Sequence, residues 1–196
     1  MKNTELRSLL EQHHRESYGW ALSCCSRDQS EAENVLQSVY LKVLQGKAQF
    51  DGGASFRTWL FSVIRKTAAD HNRRRILRKL RLVRFQKEAE RLSRSAEFDD
   101  GIYQSEIQSI FQRALLTLPK RQQEVLQLVL YHDLTLAEAA QVMAVSLGSA
   151  RTHYDRGKKQ IRQWMVKAKV FDESEFERGL GRKENSEIIR RDAPAG

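Results

Sequence analysis

Apolar residues recur along this chain at the spacing of an amphipathic α-helix, in two blocks at roughly residues 5–70 and 107–168. Helical spacing places residues i, i+3, i+4 and i+7 on one face, which can then pack against a core. The clearest stripe consists of Ala32, Val35, Leu36, Val39, Tyr40, Val43 and Leu44. Strand signals are scarce, because the chain has few β-branched runs and no useful alternating apolar segment. The sequence therefore predicts an all-α fold with two small helical modules.

The first block divides into helices at recognisable caps and glycines. One amphipathic helix starts with Leu6, Leu9 and Leu10. Asp28 and Ser30 are both suitable N-cap residues for the helix that carries the stripe, and Gly46 is suited to end it. The loop at 49–55 interrupts the pattern with a glycine pair. A third helix is then expected to turn an apolar face inward, formed by Phe56, Trp59, Leu60, Val63, Ile64 and Thr67.

Arginine and lysine dominate the stretch from Arg73 to Arg94. With a net charge of +9 and a pI near 9.8 for the whole chain, an acidic polymer is the first candidate partner. The early part of the stretch is predicted to continue the third helix, and the remainder to form a basic flexible linker. The predicted organisation is a domain at 5–78, a linker at 79–106, a second domain at 107–168 and a tail at 169–196 with no predicted role.

The second block contains the signals of a helix-turn-helix. Helices are predicted around Ile102–Leu116, Lys120–Tyr131, Leu136–Met143 and Gly148–Lys167, with Pro119 in the first turn of the second of them. Thr135 and Glu138 have the spacing of a capping box, and Ser146 can cap the last helix. Small or flexible residues at Ala139, Ala140 and Met143 allow the two helices to cross closely. The anchors of the last helix on its inner face are Val145, Ala150 and Tyr154.

The outer face of this last helix carries groups that can read DNA. In a major groove, arginine can bind guanine, and serine or threonine can bond to a base or a phosphate. The residues predicted to enter the groove are Ser149, Arg151, Thr152, His153, Asp155 and Arg156, while Lys158 and Lys159 are better placed for the phosphate backbone. The alternative is a helical hairpin with a solvated charged face.

Aromatic residues precede the basic stretch in a pattern typical of a stacking surface beside a phosphate-binding track. The aromatic residues are Phe50, Phe56, Trp59 and Phe61. For each of them, core packing is the alternative interpretation. Trp59 lies on the apolar stripe and is assigned to the core. Phe56, at the junction of loop and helix, is the better candidate for contact with a base. The basic run itself has the alternative of a solvated helix end.

Other residue types argue against a metal, a cofactor and catalysis. The adjacent pairs His13–His14 and Cys24–Cys25 point about 100° apart on a helix and do not form an easy chelate. Neighbouring cysteines also fit a reducing compartment rather than a structural disulfide. We find no glycine-rich phosphate loop, no zinc-protease motif and no nucleophile–base set. No segment approaches ~18 consecutive apolar residues, and the N-terminus lacks a signal-peptide core. These features predict a cytoplasmic, non-enzymatic protein without a cofactor or membrane insertion.

Four motifs, in this order and with these gaps, resemble the extracytoplasmic-function (ECF) subfamily of bacterial sigma-70 factors. The motifs are Glu31–Lys42, then Phe56–Leu60 followed by Lys66, Asp70 and Arg73–Arg75, then Leu118–Val125, and finally Glu138–Ala140 with Val145–Thr152. The resemblance covers about residues 5–168. It implies a sigma-2-like bundle joined by the flexible linker to a sigma-4-like helix-turn-helix domain. The implied function is that of a transcription initiation factor that directs RNA polymerase to promoters and helps to melt DNA.

The resemblance also implies partners and site residues. The partners are the RNA polymerase core, through its β′ clamp and β flap, promoter DNA, and an anti-sigma factor. The clamp would be bound by Glu31, Glu33, Leu36, Gln37 and Tyr40. The −10 element would be bound by Ser55, Phe56, Lys66, Asp70, Arg73 and Arg74. The −35 element would be bound by Ser149, Arg151, Thr152, His153, Arg156 and Lys159.

The chain departs from the family pattern at several of these places. Asn34 and Ser38 stand where acidic residues are common, and Lys66 replaces a frequent asparagine. In the recognition helix the unusual residues are His153, Asp155 and Gly157. The two alternative functions are those of a stand-alone helix-turn-helix repressor and of a recombinase. The first block argues against both, because a repressor needs no clamp-like helix and a recombinase needs a larger catalytic domain.

Overall fold

A computed structural model describes residues 3–85 and 113–167 of the chain. Within these two ranges the regular elements are all helices, which confirms the predicted fold class. The helices are α1 at Asn3–Gln12, α2 at His14–Cys24, α3 at Gln29–Leu44, α4 at Phe56–Phe85, α5 at Lys120–Leu130, α6 at Leu136–Met143 and α7 at Leu147–Lys167. We call α1–α4 the N-terminal module, and residues 113–167 with α5–α7 the C-terminal module.

The N-terminal module packs around the apolar stripe of α3, as predicted. Val35 and Val39 of α3 and Leu60 and Ile64 of α4 are fully buried in one core. Of the two candidate caps, Asp28 is the one used, since its Oδ1 accepts a hydrogen bond of 3.0 Å from the Glu31 amide. The helix ends at Leu44, and the following Gly46 has a φ of +69°, in the left-handed region that favours glycine.

Helix α2 was not recognised in the sequence as a separate element. Its buried residues Ser17, Trp20 and Ala21 mix polar, aromatic and small side chains, so the apolar stripe is weak. Trp20 is nevertheless fully buried, and its indole Nε1 donates a hydrogen bond of 3.0 Å to the Phe61 carbonyl. This bond satisfies the only polar atom of the indole and fixes α2 against α4.

Helix α4 is 30 residues long and extends far into the basic stretch. The prediction that the early arginines continue the third helix is confirmed. Residues 79–85, which the sequence assigned to the linker, are also helical. The rest of the predicted linker, most of the predicted helix at Ile102–Leu116 and the tail from 168 onward lie outside the described residues; 113–116 of that helix are helical.

The C-terminal module has the predicted helix-turn-helix. Thr135 and Glu138 form a complete capping box, and Ser146 caps α7 by accepting a 3.1 Å hydrogen bond from the Ser149 amide. Ala144 takes the left-handed conformation at φ +53° and ends α6, which makes the turn tight. Pro119 is the N-cap of α5 and not part of its first turn, because its ψ of 141° is extended and the helix begins at Lys120.

The two modules pack against each other, which the sequence did not predict. Helix α6 lies along α4, and α2 also touches α5. Buried residues of both modules belong to one continuous core cluster. Across 3–85 and 113–167, no helix is long and apolar enough to span a membrane.

Candidate nucleic-acid and protein interfaces

The outer face of α7 carries most of the residues predicted to contact a −35 element. The inner anchors Ala150 and Tyr154 are buried, while Val145, in the turn before α7, is half-buried. This packing turns the opposite face of the helix to solvent. His153 is half-buried, and the exposed residues are Ser149, Arg151, Thr152, Asp155, Arg156 and Lys159. The exposed set forms one basic surface that a DNA groove can approach.

Gly157, noted above as unusual, is explained by packing between α5 and α7. It is buried, and a Cβ added there would lie 2.7 Å from Leu126 Cδ1 and 3.3 Å from Gln122 Cβ. Non-bonded carbon atoms stay more than about 3 Å apart. Leu126 is itself fully buried. The absence of a side chain therefore lets the recognition helix approach α5 closely.

Replacing Gly157 by valine should lower the free energy of unfolding of the C-terminal module by about 1–3 kcal/mol, because the added methyl groups overpack the α5–α7 contact. Chemical denaturation followed by circular dichroism measures this loss. Gly148→Val is the matched control on the same helix. The nearest atom to an added Cβ there, Ser146 Oγ, is 4.0 Å away, so a change within about 0.5 kcal/mol is expected. Equal losses at both positions would contradict the packing explanation.

Most of the residues predicted to bind the −10 element lie on α4, on a surface separate from the exposed face of α7. Lys66, Arg73 and Arg74 are exposed, and Asp70 between them is half-buried. Their spacing of about one and two turns aligns them along the helix. Ser55 is exposed at the end of the preceding loop, where Gly52 has a φ of +79° and the Asp51 carboxylate accepts a hydrogen bond from the Gly53 amide. The exposed loop and the basic face are the two parts of the candidate −10 surface.

Phe56 differs from the other predicted −10 residues because it is buried, with 9% of its surface exposed. Its ring packs against three others, with centroids 6.0 Å from His13, 5.5 Å from Phe50 and 5.3 Å from Trp59. Both faces of a ring in such a cluster are occupied or shielded, so it has no open face on which a base could stack. In this conformation the geometry favours the core interpretation for Phe56.

The residues predicted to bind the polymerase clamp differ in their exposure on α3. Glu33 and Gln37 are exposed, whereas Glu31 and Tyr40 are half-buried. Leu36 is 4% exposed and lies in the core, so it is not available at the surface. Leu36 is therefore corrected to a core residue, and the surface contact of the other four stays a prediction.

A surface residue of the same helix was missed. Leu41 is 56% exposed and lies four residues after Gln37 and eight after Glu33, on one side of α3. An exposed leucine between polar neighbours is an effective contact for a protein partner, and its helical spacing from Gln37 was the available signal. Tyr40 lies beside this face, with its hydroxyl 3.0 Å from His14 Nδ1.

Beside the shared apolar core, three side-chain contacts connect the modules, and together we call them the inter-module contact. The His132 ring packs edge-on against Trp20 and Phe61, with centroids 5.8 and 5.0 Å apart. Burial lowers the pKa of His132 to about 4, and the positive charge of Arg57 acts in the same direction. The ring is therefore neutral near pH 7.

The other two contacts are polar. Arg65 of α4 lies 3.2 Å from the carboxylate of Glu124 in α5. The Thr58 hydroxyl of α4 donates a 3.2 Å hydrogen bond to Oε1 of Glu138. The second oxygen of Glu138 accepts hydrogen bonds in the capping box, so one carboxylate connects the helix-turn-helix to α4.

The cysteines and histidines outside these surfaces form no metal site in the described parts of the chain. No group of three or more His, Cys, Asp or Glu side chains lies close enough there to hold an ion. Cys24 and Cys25 are both free thiols. Burial raises the pKa of Cys25 to about 11 and that of Cys24 further, so both thiols are protonated at neutral pH.

Two family models match the two modules. The model "Sigma-70 region 2" matches residues 9–77, and the model "Sigma-70, region 4" matches residues 108–161. The first match spans α2, α3 and α4 as far as residue 77, and the second spans the helix-turn-helix. Together they cover more than half of the chain.

Two curated bacterial sigma factors are similar in sequence to this chain over most of their length. The chain is 26% identical over 160 residues to the ECF RNA polymerase sigma factor SigX of Bacillus subtilis (strain 168), covering 80% of this chain and 81% of that protein. It is 29% identical over 138 residues to the ECF RNA polymerase sigma factor SigF of Caulobacter vibrioides (strain NA1000 / CB15N), covering 70% and 73%.

Two solved structures share the fold. The sigma factor RpoE from Bartonella quintana, crystallised in complex with the anti-sigma factor NepR, aligns with a TM-score of 0.64 at 18% identity, over 83% of this chain and 97% of that one. CnrH, in complex with the cytosolic domain of CnrY, aligns with a TM-score of 0.56 at 18% identity, over 84% and 90%.

Proposed function

Because this chain belongs to the sigma-70 family of RNA polymerase sigma factors, in its ECF subfamily, we propose that it binds core polymerase and directs it to promoters through −35 and −10 elements. Sigma factors are transcription initiation factors and not enzymes. The observation that carries the proposal is the pair of separate exposed surfaces, on α7 and on α4, each basic and each within a region matched to the family.

The −35 element is assigned to α7. The exposed basic face of this helix and its rigid mounting on α5 and α6 support insertion into a major groove. Arg151 and Arg156 are the residues best suited to base readout, since arginine can bind guanine with two hydrogen bonds. Lys159, farther along the helix, suits a phosphate contact.

Replacing Arg151 or Arg156 by alanine should weaken binding to the −35 element. An arginine that reads a guanine should also lose about 1–3 kcal/mol of preference for that base pair. Holoenzyme binding to promoters that carry single −35 substitutions, measured at several salt concentrations, separates the two roles.

Loss of an arginine that contacts only a phosphate would instead lower the affinity evenly across promoter sequences and reduce its salt dependence. Gln141→Ala on the exposed side of α6 serves as the control. Binding that is unchanged in both arginine variants would contradict the assignment of this face to DNA.

The −10 element is assigned to the loop at 51–55 and the exposed basic face of α4. Lys66, Arg73 and Arg74 would hold the phosphates of the non-template strand, while the loop holds an unpaired base. Extruding a base from the duplex requires a few kcal/mol, which phosphate contacts and a base pocket can offset. The burial of Phe56 moves the proposed base contact from this ring to the exposed loop, including Ser55.

Core polymerase is assigned to the exposed side of α3. Glu33 and Gln37 supply polar contacts, and Leu41 supplies the apolar surface that protein interfaces bury at their centre. The β′ clamp is the proposed partner of this side, and the β flap is the proposed partner of the C-terminal module.

An anti-sigma factor is a further proposed partner. The support is a structural relative, the Bartonella quintana sigma factor, that was crystallised with its anti-sigma factor and shares this fold.

Run-off transcription with purified core polymerase and a library of genomic promoter fragments tests the proposed function. Transcripts that depend on this chain, with shared sequence elements near −35 and −10, are the expected result. If the chain neither stimulates transcription at any promoter nor binds core polymerase, the proposed function is wrong. Binding to DNA without any affinity for core would instead support a stand-alone repressor.

A further inference from the structure

A cavity of about 200 Å³ lies between α2, α4 and α5, beside the inter-module contact. The charged residues that line it are Arg65 of α4 and Lys120, Arg121 and Glu124 of α5. We propose that this cavity binds a small dianion, either inorganic phosphate or a small phosphate monoester. Neither the DNA-binding surfaces nor the exposed side of α3 contributes a residue to this lining, so the cavity is independent of the proposed function.

The charges around the cavity do not balance within the described part of the chain. Arg65 and Arg121 share one oxygen of a single carboxylate, Oε2 of Glu124, at 3.2 and 3.3 Å. In residues 3–85 and 113–167, no carboxylate lies within ion-pair distance of Lys120. Three cations and one carboxylate leave two net positive charges in the lining. Because like charges repel more strongly where they are partly shielded from water, a bound anion would lower this repulsion.

A buried donor of a cavity-lining residue also has no acceptor among the described residues. Arg65 Nε is buried and donates no hydrogen bond to any of them, although Nη2 of the same guanidinium donates to Glu124. An unpaired donor shielded from water costs free energy, which an acceptor oxygen in the cavity would restore. The N-terminal end of α5 adds to the positive potential, since Lys120 and Arg121 are its first two residues and Pro119 offers no side-chain cap.

A phosphate group fits this lining in charge and in size. A guanidinium donates paired hydrogen bonds to phosphate oxygens, and an ammonium group acts as a compact positive charge. A phosphate monoester carries about 1.5 to 2 negative charges near neutral pH, close to the net positive charge of the lining. The remaining walls are the short side chains of Cys24, Ala68 and Ala69. Sites for larger ligands have volumes of roughly 300–1,000 Å³, so a whole nucleotide is not expected to fit.

A bound phosphate would contact both modules, through Arg65 on α4 and Lys120 on α5. A ligand that binds the folded chain and not the unfolded one stabilises the folded chain by mass action. The Tm of the chain should therefore rise once the phosphate concentration exceeds the dissociation constant. This rise measures binding independently of any signal from the ligand.

Titration of the full chain with inorganic phosphate, and separately with glycerol 3-phosphate, tests the proposal. Ionic strength is held constant by replacing chloride, because exposed charges are screened by salt. Broadening of the ³¹P NMR signal measures binding of the ligand, and thermal melting measures the gain in Tm. Lys120→Gln removes the lysine charge, and Arg65→Lys keeps its charge but removes the paired donors. Lys47→Gln is the matched control, since it removes one exposed lysine charge far along the chain from the cavity-lining residues.

We expect Lys120→Gln and Arg65→Lys each to weaken phosphate binding about tenfold or more, since each removes charge-assisted hydrogen bonds. Lys47→Gln should stay within about twofold of wild type. Binding of both anions would assign the cavity to phosphate monoesters, and binding of phosphate alone would assign it to the inorganic ion.

Three results would overturn the proposal. The first is a wild-type chain that binds neither anion, and the second is wild-type phosphate affinity in either cavity variant. The third is equal weakening by Lys120→Gln and Lys47→Gln, which would show only a general attraction of anions to a basic chain. A duplex DNA without promoter elements is titrated in parallel. If Lys120→Gln weakens binding of this duplex and leaves phosphate binding unchanged, Lys120 contacts the DNA backbone and the cavity is not a phosphate site.

Discussion

Phe56→Ala should lower the free energy of unfolding of the N-terminal module by about 3–5 kcal/mol, the usual loss for a buried phenylalanine. The ring is 9% exposed and packs among Phe50, Trp59 and His13, so its removal leaves a cavity at the junction of the −10 loop and α4. Thermal denaturation should show a decrease in Tm of more than about 10 °C.

Ile76→Ala is the control for this experiment, since Ile76 lies on the same helix with 49% of its surface exposed. A change within about 0.5 kcal/mol is expected there. Permanganate footprinting of promoter complexes, run beside the melting experiment, distinguishes the two roles of Phe56. An unchanged Tm with lost reactivity of the −10 thymines, rescued on a promoter melted in advance, would show that Phe56 contacts a base.

The sequence predicted the helices most accurately where local chemistry alone decides the structure. Thr135 and Glu138 form their capping box through side-chain and backbone groups three residues apart, so the spacing alone is sufficient. The sequence left Asp28 and Ser30 open as caps, and the structure uses Asp28 because it alone precedes the first helical turn of α3. Helix α2 was missed because its inward face mixes Ser17 with Trp20 and Ala21, and no apolar period marks it.

The sequence could not predict the contacts that depend on two distant segments. His132 lies in a loop and is expected at the surface from the sequence, yet its ring packs edge-on against Trp20 and Phe61, more than 70 residues earlier. Gly157 similarly has a low helix propensity, and only its close approach to Leu126 explains why a glycine lies there. Both positions are explained by packing between elements, which periodicity within one element does not contain.

The assignment of site residues was limited in the same way on α3. A family motif on a helix contains consecutive residues, which point to all sides of the helix, but only one side can face a partner. Leu36 and Leu41 are the same residue type, five positions apart on one helix, with 4% and 56% of their surfaces exposed. This pair offers a direct test of which side binds polymerase.

Leu36→Arg should unfold the N-terminal module, whereas Leu41→Arg should leave it folded. At Leu36 the substitution removes a buried side chain worth about 2–5 kcal/mol and places a charge in the apolar core to which Val35, Val39 and Ile64 also belong. The combined loss is comparable to the total stability of a small domain. Circular dichroism and thermal melting of the free chain measure both effects.

Leu41→Arg should instead reduce affinity for core polymerase about tenfold or more, because it replaces the apolar contact of the proposed interface with a charge. Co-elution with core enzyme and a competition titration against wild-type chain measure the loss. Lys47→Ala, on the exposed turn just after α3, is the control and should bind as wild type. If Leu41→Arg is folded and binds core normally, the polymerase lies elsewhere on the module, and the exposed side of α3 loses its assignment.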